Sequence, residues 1–456
     1  MKKRYIVRAI AFLGLTAFIW SILAGILVNK FRNQNSAGNP EAKDADIVFI
    51  GTSQGALGIN PVIMWDTQGV MAYNFSGNGQ YIGITYYVLQ DILENFTPQV
   101  IALDIKSVID SEDFWSEGNL LYQFTVISDP LLRYQMYEEI IGQDTIYLSS
   151  LLRYHERWKE ITSDDFEKKE YVLGAELYTN PESWEAMENL PQVPDTVQEG
   201  PPIDREMDYL EKIIALAESK GCKVVLLRLP HELSSVNEAN FQKIVEYGGE
   251  KGIEVCDMMT DEFYSESGLQ PEDFRDLKHL NIEGADKLSA WLGKYLVEND
   301  YVCDRRQDDM AKEWEIKVEK ARREAGRIHL QMKTNFHDYF EELKKENEYE
   351  TVIALSESIP EDMLHEVEMI LGVTVKDSDG QIFWLKKGVV TVDDAISNGG
   401  FYCVSPSTDI SCQKGEIYIN SISAKKVESG VNLVVIDTKE SKIIDMKGFD
   451  LTSIMP

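Results

Sequence analysis

Residues 47 to 53 are Ile47-Val-Phe-Ile-Gly-Thr-Ser53, an apolar strand pattern that runs directly into a Gly-Thr-Ser turn. Open α/β sheets hold their ligands at the carboxyl ends of parallel strands. A strand here would place the hydroxyl of Ser53 at that edge of the sheet. The stretch therefore predicts both a parallel sheet and a candidate nucleophile.

A second segment, far along the chain, supplies the groups that a serine nucleophile needs. It is Asp276-Leu-Lys-His-Leu-Asn281, with a carboxylate and an imidazole three residues apart. On one helical turn these side chains would be neighbours, so we expect Asp276 to fix the tautomer of His279 while His279 takes the proton of Ser53. A lone serine in a turn more often bonds its own backbone. The two segments together predict a Ser-His-Asp triad.

This pattern resembles the SGNH (GDSL-like) hydrolases and acyltransferases, from about Asp46 to Asn299. In that family the serine lies in a Gly-Asp-Ser block, and Thr52 replaces the Asp here. Membrane-anchored members that resemble the D-alanyl-lipoteichoic acid protein and the alginate O-acetylation proteins tolerate this exchange. The resemblance implies a serine O-acyltransferase or esterase that acts on a cell-surface polysaccharide or teichoic-acid-like polymer. It implies no cofactor and allows a membrane acyl-donor protein as partner.

Acyl transfer also needs hydrogen-bond donors for the developing oxyanion, each worth about 3 kcal/mol. The N–H of Ser53 is one candidate. The segment Asn74-Phe-Ser-Gly-Asn-Gly-Gln80 lies where SGNH proteins supply a glycine N–H, so Gly77 or Gly79 is the second candidate. A plain Gly/Asn turn is the alternative. Leu103-Asp-Ile-Lys-Ser107 stands where the family has a Gly-x-Asn-Asp block, so Asn78 is the candidate third donor.

Two groups of cationic residues are candidate substrate contacts. Arg153, His155 and Arg157 form a cluster in an otherwise acidic protein, and Arg228 and His231 lie at the end of a candidate strand. Such clusters are more often ion-paired on a helix surface. We take His155 and Arg228 as the candidates for meeting an anionic substrate.

The N-terminal segment predicts a membrane anchor. An uncharged apolar run extends from Ala9 to Val28, and about 20 such residues cross a bilayer as a helix. Lys2, Lys3 and Arg4 precede it and favour a cytoplasmic N-terminus. No small-x-small cleavage site follows. We therefore expect an uncleaved, single-pass signal anchor with the bulk of the chain extracytoplasmic.

Composition limits the remaining possibilities. The 456 residues carry 45 Lys and Arg against 77 Asp and Glu, a formal net charge of −32, and 44% are hydrophobic. A chain of this length and hydrophobic content predicts about three folded domains. A surface this acidic repels nucleic-acid phosphates, so we expect no nucleic-acid partner.

Cysteine usage argues against a disulfide scaffold and against a metal site. Five cysteines are few for an extracytoplasmic chain of this length. Cys403 and Cys412 could close a small loop, whereas we expect Cys222 and Cys256 to be buried free thiols. There is no Cys-x-x-Cys or His-x-x-x-His spacing, so we expect no zinc or other metal.

From residue 46 onward the chain alternates predicted strands and helices. The predicted strands are 46–50, 71–75, 99–105, 223–229 and 253–258, and the predicted helices are 82–94, 202–220, 236–251 and 282–297. This alternation is typical of a parallel sheet covered on both faces. Between 108 and about 200 it fails, and aromatic-rich stretches such as Leu120-Leu-Tyr-Gln-Phe124 predict a helical insertion that forms a lid or a substrate-side wall.

The predicted domain organisation follows from these patterns. Residues 1–30 form the signal anchor, 31–45 a tether, 46–300 the SGNH-like α/β domain, 301–346 a charged helical linker and 347–456 a smaller α+β domain. The linker has apolar residues at helical spacing, and partner binding is its alternative role. In the last domain, a strand at 351–355 and a helix at 360–371 precede short strands.

The C-terminal domain resembles the interleukin-like EMT inducer (ILEI/PANDER) domain. The match is Gly430-Val-Asn-Leu-Val-Val-Ile-Asp437, followed by Ile443-Ile-Asp-Met-Lys-Gly-Phe-Asp450. A second block comprises the strand at Val352, a helix ending at Gly372, and Ile382-Phe-Trp-Leu-Lys-Lys-Gly388. The two blocks occur in the opposite order in the family, so the domain looks circularly permuted. The resemblance implies carbohydrate contact.

The patterns together predict a membrane-anchored enzyme that forms an acyl-enzyme at Ser53. Whether water or a sugar hydroxyl takes the acyl group, and so whether the enzyme is a hydrolase or a transferase, stays open at this level. The competing interpretation is a non-catalytic glycan-binding or assembly protein that keeps the same fold.

Overall fold

The computed structural model describes residues 2–28, 35–110, 126–141, 154–162, 171–177, 187–345, 348–356, 359–375, 381–392, 400–413, 415–450 and 452–454. The chain forms two compact units, the first ending at Glu324 and the second beginning at Ala325. This division lies within the segment 301–346 that was predicted as a linker.

The first helix, α1 (Lys2–Val28), is apolar and exposed. Within it, Arg4–Leu27 is long and apolar enough to cross a membrane by length and composition, with a mean hydropathy of 2.3. Phe12 and Phe18 are 68% and 63% exposed. An apolar helix with its large side chains exposed is unlike a core helix, which buries them. The helix therefore has the properties of a membrane span.

A parallel sheet forms the centre of the first unit. Its five strands follow the order β2-β1-β3-β4-β5, with every pair parallel. They are β1 (Ile47–Ile50), β2 (Ala72–Asn74), β3 (Val100–Asp104), β4 (Lys223–Arg228) and β5 (Glu254–Asp257). Every residue of β1 and β3 is buried, as expected for parallel strands covered on both faces. The predicted mixed α/β fold with a parallel sheet is confirmed.

Helices connect the strands. They are α2 (Ser53–Gly58), α3 (Pro61–Gln68), α4 (Ile82–Asn95), α5 (Lys106–Ile109), α6 (Pro130–Met136), α7 (Asp204–Ser219), α8 (Ser235–Lys251), α9 (Asp261–Ser267) and α10 (Ile282–Glu298). Leu288 and Leu292 of α10 share a core with Ile47, Phe49 and Val100 of the sheet. The helix α10 thus covers the sheet directly after the Asp276–Asn281 segment.

The segment from Asp276 to His279 is a tight hairpin, so the predicted helical turn is wrong. Strands β6 (Phe274–Asp276) and β7 (His279–Leu280) pair antiparallel, with Asp276 opposite His279. The helix begins only at Ile282, because the side chain of Asn281 accepts a hydrogen bond from the N–H of Gly284 at 3.0 Å and caps it. Residues opposite each other in a hairpin lie as close as neighbours on a helix.

The predicted insertion is described only in part. Besides α6, the structure describes a π-helical turn at Tyr137–Ile141 and a 3₁₀ turn at His155–Lys159. The stretch 120–124, residue Arg153 and the side chain of His155 lie outside the described residues. The lid or substrate-side wall therefore stays a prediction.

The second unit is built from antiparallel strands and helices. One sheet has the order β10-β9-β8-β15-β16 and another the order β11-β12-β13-β14. The strands are β8 (Tyr349–Leu355), β9 (Ile382–Lys386), β10 (Val389–Thr391), β11 (Phe401–Ser405), β12 (Thr408–Gln413), β13 (Glu416–Ile419), β14 (Ile422–Ser423), β15 (Gly430–Asp437) and β16 (Lys442–Asp450). A Cβ at Gly430 would meet the main-chain oxygen of Phe449 at 2.0 Å, so only glycine fits the start of β15.

In the described part of the chain, three more helices follow α10, namely α11 (Ala311–Met332), α12 (Phe336–Lys345) and α13 (Glu361–Leu371). The residues of α12 contribute to a core rather than only connecting domains. Phe336, Tyr339, Phe340 and Leu343 are buried together with Phe449 of β16. Part of the segment predicted as a linker is therefore integral to the second unit.

None of the five cysteines, all of which the structure describes, forms a disulfide. Cys222 and Cys256 are buried, as expected. Cys403 is exposed and Cys412 is buried, in neighbouring strands where Cys403 lies opposite Asp409. Cys403 and Cys412 are thus not opposite each other, and the structure shows no disulfide between them.

Candidate active site

Three predicted residues meet at the carboxyl edge of the parallel sheet. The Oγ of Ser53 lies 2.8 Å from Nε2 of His279, across 226 residues of sequence. The Nδ1 of His279 lies 2.9 and 3.0 Å from the two carboxylate oxygens of Asp276. About a fifth of the His279 side chain is exposed, so the imidazole is in contact with solvent. The order of contacts is that of a nucleophile, a base and an orienting carboxylate.

The turn after β1 places Ser53 at the first position of α2. Gly51 has φ +143°, and a Cβ there would lie 2.6 Å from the Cβ of Asp104. Only glycine allows this approach between the ends of β1 and β3. Thr52 then caps α2, since its hydroxyl accepts a hydrogen bond from the N–H of Gln54 at 3.2 Å.

Asp104 fixes this turn from the end of β3. Its Oδ2 accepts the N–H of Thr52 at 2.9 Å and the hydroxyl of Thr52 at 2.5 Å, and its Oδ1 accepts the N–H of Lys106 at 2.9 Å. Burial raises the pKa of Asp104, and these hydrogen bonds oppose the rise. In the sequence, Leu103–Ser107 was noted only because it differs from the SGNH block. The contact of Asp104 with Thr52 was not predicted, because the two residues are 52 positions apart.

The environment of Asp276 keeps its carboxylate ionised. Burial raises its pKa, but the hydrogen bond from His279, the charge of His279, the N–H of Lys278 and nearby Arg275 lower it further, so the pKa lies below the usual range. The N–H of Lys278 donates to Oδ1 of Asp276 at 2.8 Å. An ionised carboxylate at this position supports a positive charge on the imidazole.

Of the predicted oxyanion donors, Gly77 is excluded. Its N–H donates to the main-chain oxygen of Gly51 at 2.9 Å, which continues the pairing of β1 and β2. Gly79 has φ +63° in the turn that follows. The Nδ2 of Asn78 donates to Oε2 of Glu176 at 3.1 Å. Ser53 occupies the first position of α2, where a backbone N–H has no acceptor within the helix. Its N–H can therefore serve as an oxyanion donor.

Glu176 is a buried carboxyl group beside Asn78 that sequence reasoning missed. Burial raises its pKa to about 7, and its N–H donates to the main-chain oxygen of Ala56 in α2 at 2.8 Å. Nearby, a Cβ at Gly174 would meet the main-chain oxygen of Asn74 at 2.1 Å. The segment 171–177 thus lies closely against α2 and the end of β2. No sequence motif in the insertion predicted this contact of the segment 171–177.

Arg228 and His231 are core residues. Arg228 is 1% exposed, and it pairs with Glu238 at 2.6 Å and with Asp257 at 3.4 Å. A substrate has no access to such a guanidinium, so the expected substrate contact at Arg228 is not supported. His231 is also buried, and burial lowers its pKa to about 4. Its Nδ1–H donates to the main-chain oxygen of Leu229 at 2.9 Å.

No model of a known protein family matches the sequence. No curated protein matches it at a significant level either. The case for a function therefore rests on the residues of the site.

Proposed function

We propose that the chain is a membrane-anchored serine esterase or O-acyltransferase that acts on a cell-surface polysaccharide through an acyl-enzyme. The observation that carries the proposal is the 2.8 Å contact between Ser53 Oγ and His279 Nε2, with Asp276 on the other ring nitrogen. The resemblance of both sequence segments to the SGNH hydrolases supports the same reaction class.

In the proposed reaction Ser53 Oγ attacks the carbonyl carbon of an ester, and its proton passes to Nε2 of His279. The C–O bond to the leaving alcohol then breaks, and His279 returns the proton to that alcohol. The acyl group is left on Ser53. Water or a sugar hydroxyl next loses a proton to His279 and attacks the acyl carbon. The bond from that carbon to Ser53 Oγ then breaks, and His279 returns the proton to Ser53. Asp276 stabilises the imidazolium in both halves.

The tetrahedral intermediate needs donors for its oxyanion. Because Gly77 is already hydrogen-bonded, we assign this role to the N–H of Ser53, the N–H of Gly79 and the side chain of Asn78. The hydrogen bond from Nδ2 of Asn78 to Glu176 orients this carboxamide.

The location of the substrate follows from the N-terminal helix. A span at Arg4–Leu27, preceded by basic residues, would hold both units outside the cytoplasm. The acyl acceptor would then be a polymer of the cell surface, and a membrane protein would supply the acyl group. Protease added to intact cells should degrade both units, whereas protection of the full chain would contradict this topology.

The second unit is proposed to be the ILEI-like domain and to contact carbohydrate. Its support is the glycine-led strand β15 and the closing Phe449-Asp450 of β16. A glycan array probed with the full chain tests the assignment.

The proposed activity is tested by hydrolysis of p-nitrophenyl acetate by the full chain in detergent micelles. The parent should release p-nitrophenol, and Ser53→Ala should abolish the release because no nucleophile is left. Release by Ser53→Ala at the parent rate would place the chemistry elsewhere. Glycan binding with no esterase activity in either protein would favour the non-catalytic alternative.

A further inference from the structure

Two consecutive residues of α2 bond two consecutive residues of the β6–β7 hairpin. Ser53 Oγ contacts His279 Nε2 at 2.8 Å, and Nε2 of Gln54 donates to the main-chain oxygen of Lys278 at 3.0 Å. We propose that Gln54 is a positioning residue that holds the hairpin of His279 against the nucleophile. The proposal deepens the proposed function and rests on it for its catalytic meaning.

The burial of Gln54 indicates that the N–H group of its side-chain amide matters more than its oxygen. Gln54 is 3% exposed. Its Oε1 is buried and, within the described part of the chain, has no hydrogen-bond partner. A buried acceptor without a partner is destabilising, so an apolar side chain would suit stability better. The amide is explained by the one hydrogen bond that it donates, to Lys278.

Phe274 and Leu280 hold the strand ends of the hairpin in the core of the sheet, and its turn is held by individual hydrogen bonds. The N–H of Glu232 donates to the main-chain oxygen of Leu277 at 2.9 Å, and the N–H of Lys278 donates to Asp276 within the hairpin itself. Lys278 is exposed to solvent. Among the described residues, Gln54 is the side chain whose hydrogen bond joins the exposed turn at Lys278, next to His279, to the helix of Ser53.

The expected consequence of losing this tie is a displaced base. A displacement of about 1 Å between reacting groups costs on the order of 100-fold in rate. The chemistry itself does not involve Gln54, so its loss should slow the reaction of Ser53 without removing it.

The chain offers a matched control in Asn240. It is also fully buried, its Nδ2 donates to the main-chain oxygen of Ile109 at 2.8 Å, and its Oδ1 is buried with no partner among the described residues. Replacing either amide by leucine removes the same kind of hydrogen bond. Only Gln54 contacts the hairpin.

The test uses the full chain in detergent micelles, with Gln54→Leu, Gln54→Met as a second variant, and Asn240→Leu. Hydrogen–deuterium exchange measures the opening of the peptide that contains 277–280. A fluorophosphonate probe measures the reactivity of Ser53. In this reaction the Oγ of Ser53 forms a bond to the phosphorus of the probe, fluoride leaves, and the hydroxyl proton passes to His279.

We expect Gln54→Leu and Gln54→Met to speed exchange in 277–280 about fivefold and to slow labelling of Ser53 about 10- to 100-fold. Asn240→Leu should leave both at the parent values. Unchanged exchange in both Gln54 variants, or equal effects in Asn240→Leu, would overturn the proposal. Faster exchange in the Gln54 variants with no labelling of the parent would support the positioning role and contradict the proposed function.

Discussion

Thr52 donates both its N–H and its hydroxyl to a single oxygen of Asp104, at 2.9 and 2.5 Å. The two residues lie at the carboxyl ends of neighbouring strands, next to the nucleophile position. The turn that presents Ser53 is thus fixed by a buried carboxylate that takes no part in the proposed proton transfers.

Asp104→Ala should destabilise the first unit by about 3 kcal/mol, because it leaves the buried N–H groups of Thr52 and Lys106 without an acceptor. Thr52→Val should cost about 2 kcal/mol, because it removes both the cap of α2 and the hydrogen bond from the hydroxyl to Asp104. Chemical denaturation of the full chain measures both, with exposed Asp309→Ala as control. A change within about 0.5 kcal/mol for Asp104→Ala, the range of ordinary surface substitutions, would contradict this role.

Glu176 should make stability depend on pH. Burial raises its pKa from the usual 4.5 to about 7 in the folded protein. The folded state therefore binds the proton more tightly than the unfolded state, and the stabilisation is complete below pH 4.5 and is lost as the pH rises to 7. The loss amounts to about 3 kcal/mol.

Comparing Glu176→Gln with the parent isolates this contribution. The variant cannot ionise, so its stability relative to the parent should increase between pH 5 and pH 7.5. Denaturation curves at the two pH values measure the difference. A constant difference would show that Glu176 does not titrate in this range.

Asp276→Asn should lower kcat for p-nitrophenyl acetate by on the order of 10⁴-fold, the effect that removing the orienting carboxylate has in a serine triad. The geometry of the hairpin should persist, because the amide oxygen can still accept the N–H of Lys278. Steady-state kinetics and exchange in 277–280 provide the two readouts. Activity within about tenfold of the parent would remove Asp276 from the mechanism.

The second unit should fold only if its helical part is included. A fragment of residues 325–456 keeps Phe336, Tyr339 and Phe340 in the core with Phe449, and it should unfold cooperatively on heating. A fragment of 347–456 lacks these aromatic groups and should not. Burial of several aromatic side chains is worth several kcal/mol, about as much as a small domain's whole stability. Equal melting of both fragments would place the boundary near residue 347.

The sequence predicted the central sheet well, because buried parallel strands are apolar runs between turn residues. Strand β3 was expected at 99–105 and spans Val100–Asp104. Helix α4 was expected at 82–94 and spans Ile82–Asn95. The short helices α2 and α3 were not predicted, since six and eight residues are too few to show a helical period.

The site was predictable only where its residues lie in motifs. Ser53, Asp276 and His279 were identified from their segments, but the hairpin between the last two was mistaken for a helical turn, because a spacing of three residues fits both. Gln54 and Glu176 lie in no motif, and their contacts with Lys278 and Asn78 form only in the folded chain.

The most direct test of the account is mass spectrometry of the full chain after brief exposure to p-nitrophenyl acetate. The account predicts one acetyl group, on the peptide that contains Ser53, and none in Ser53→Ala. It also predicts that His279→Gln acquires the group far more slowly. An unmodified Ser53 in the parent, or an acetyl group that forms equally fast without His279, would contradict the claim that this serine is the activated nucleophile.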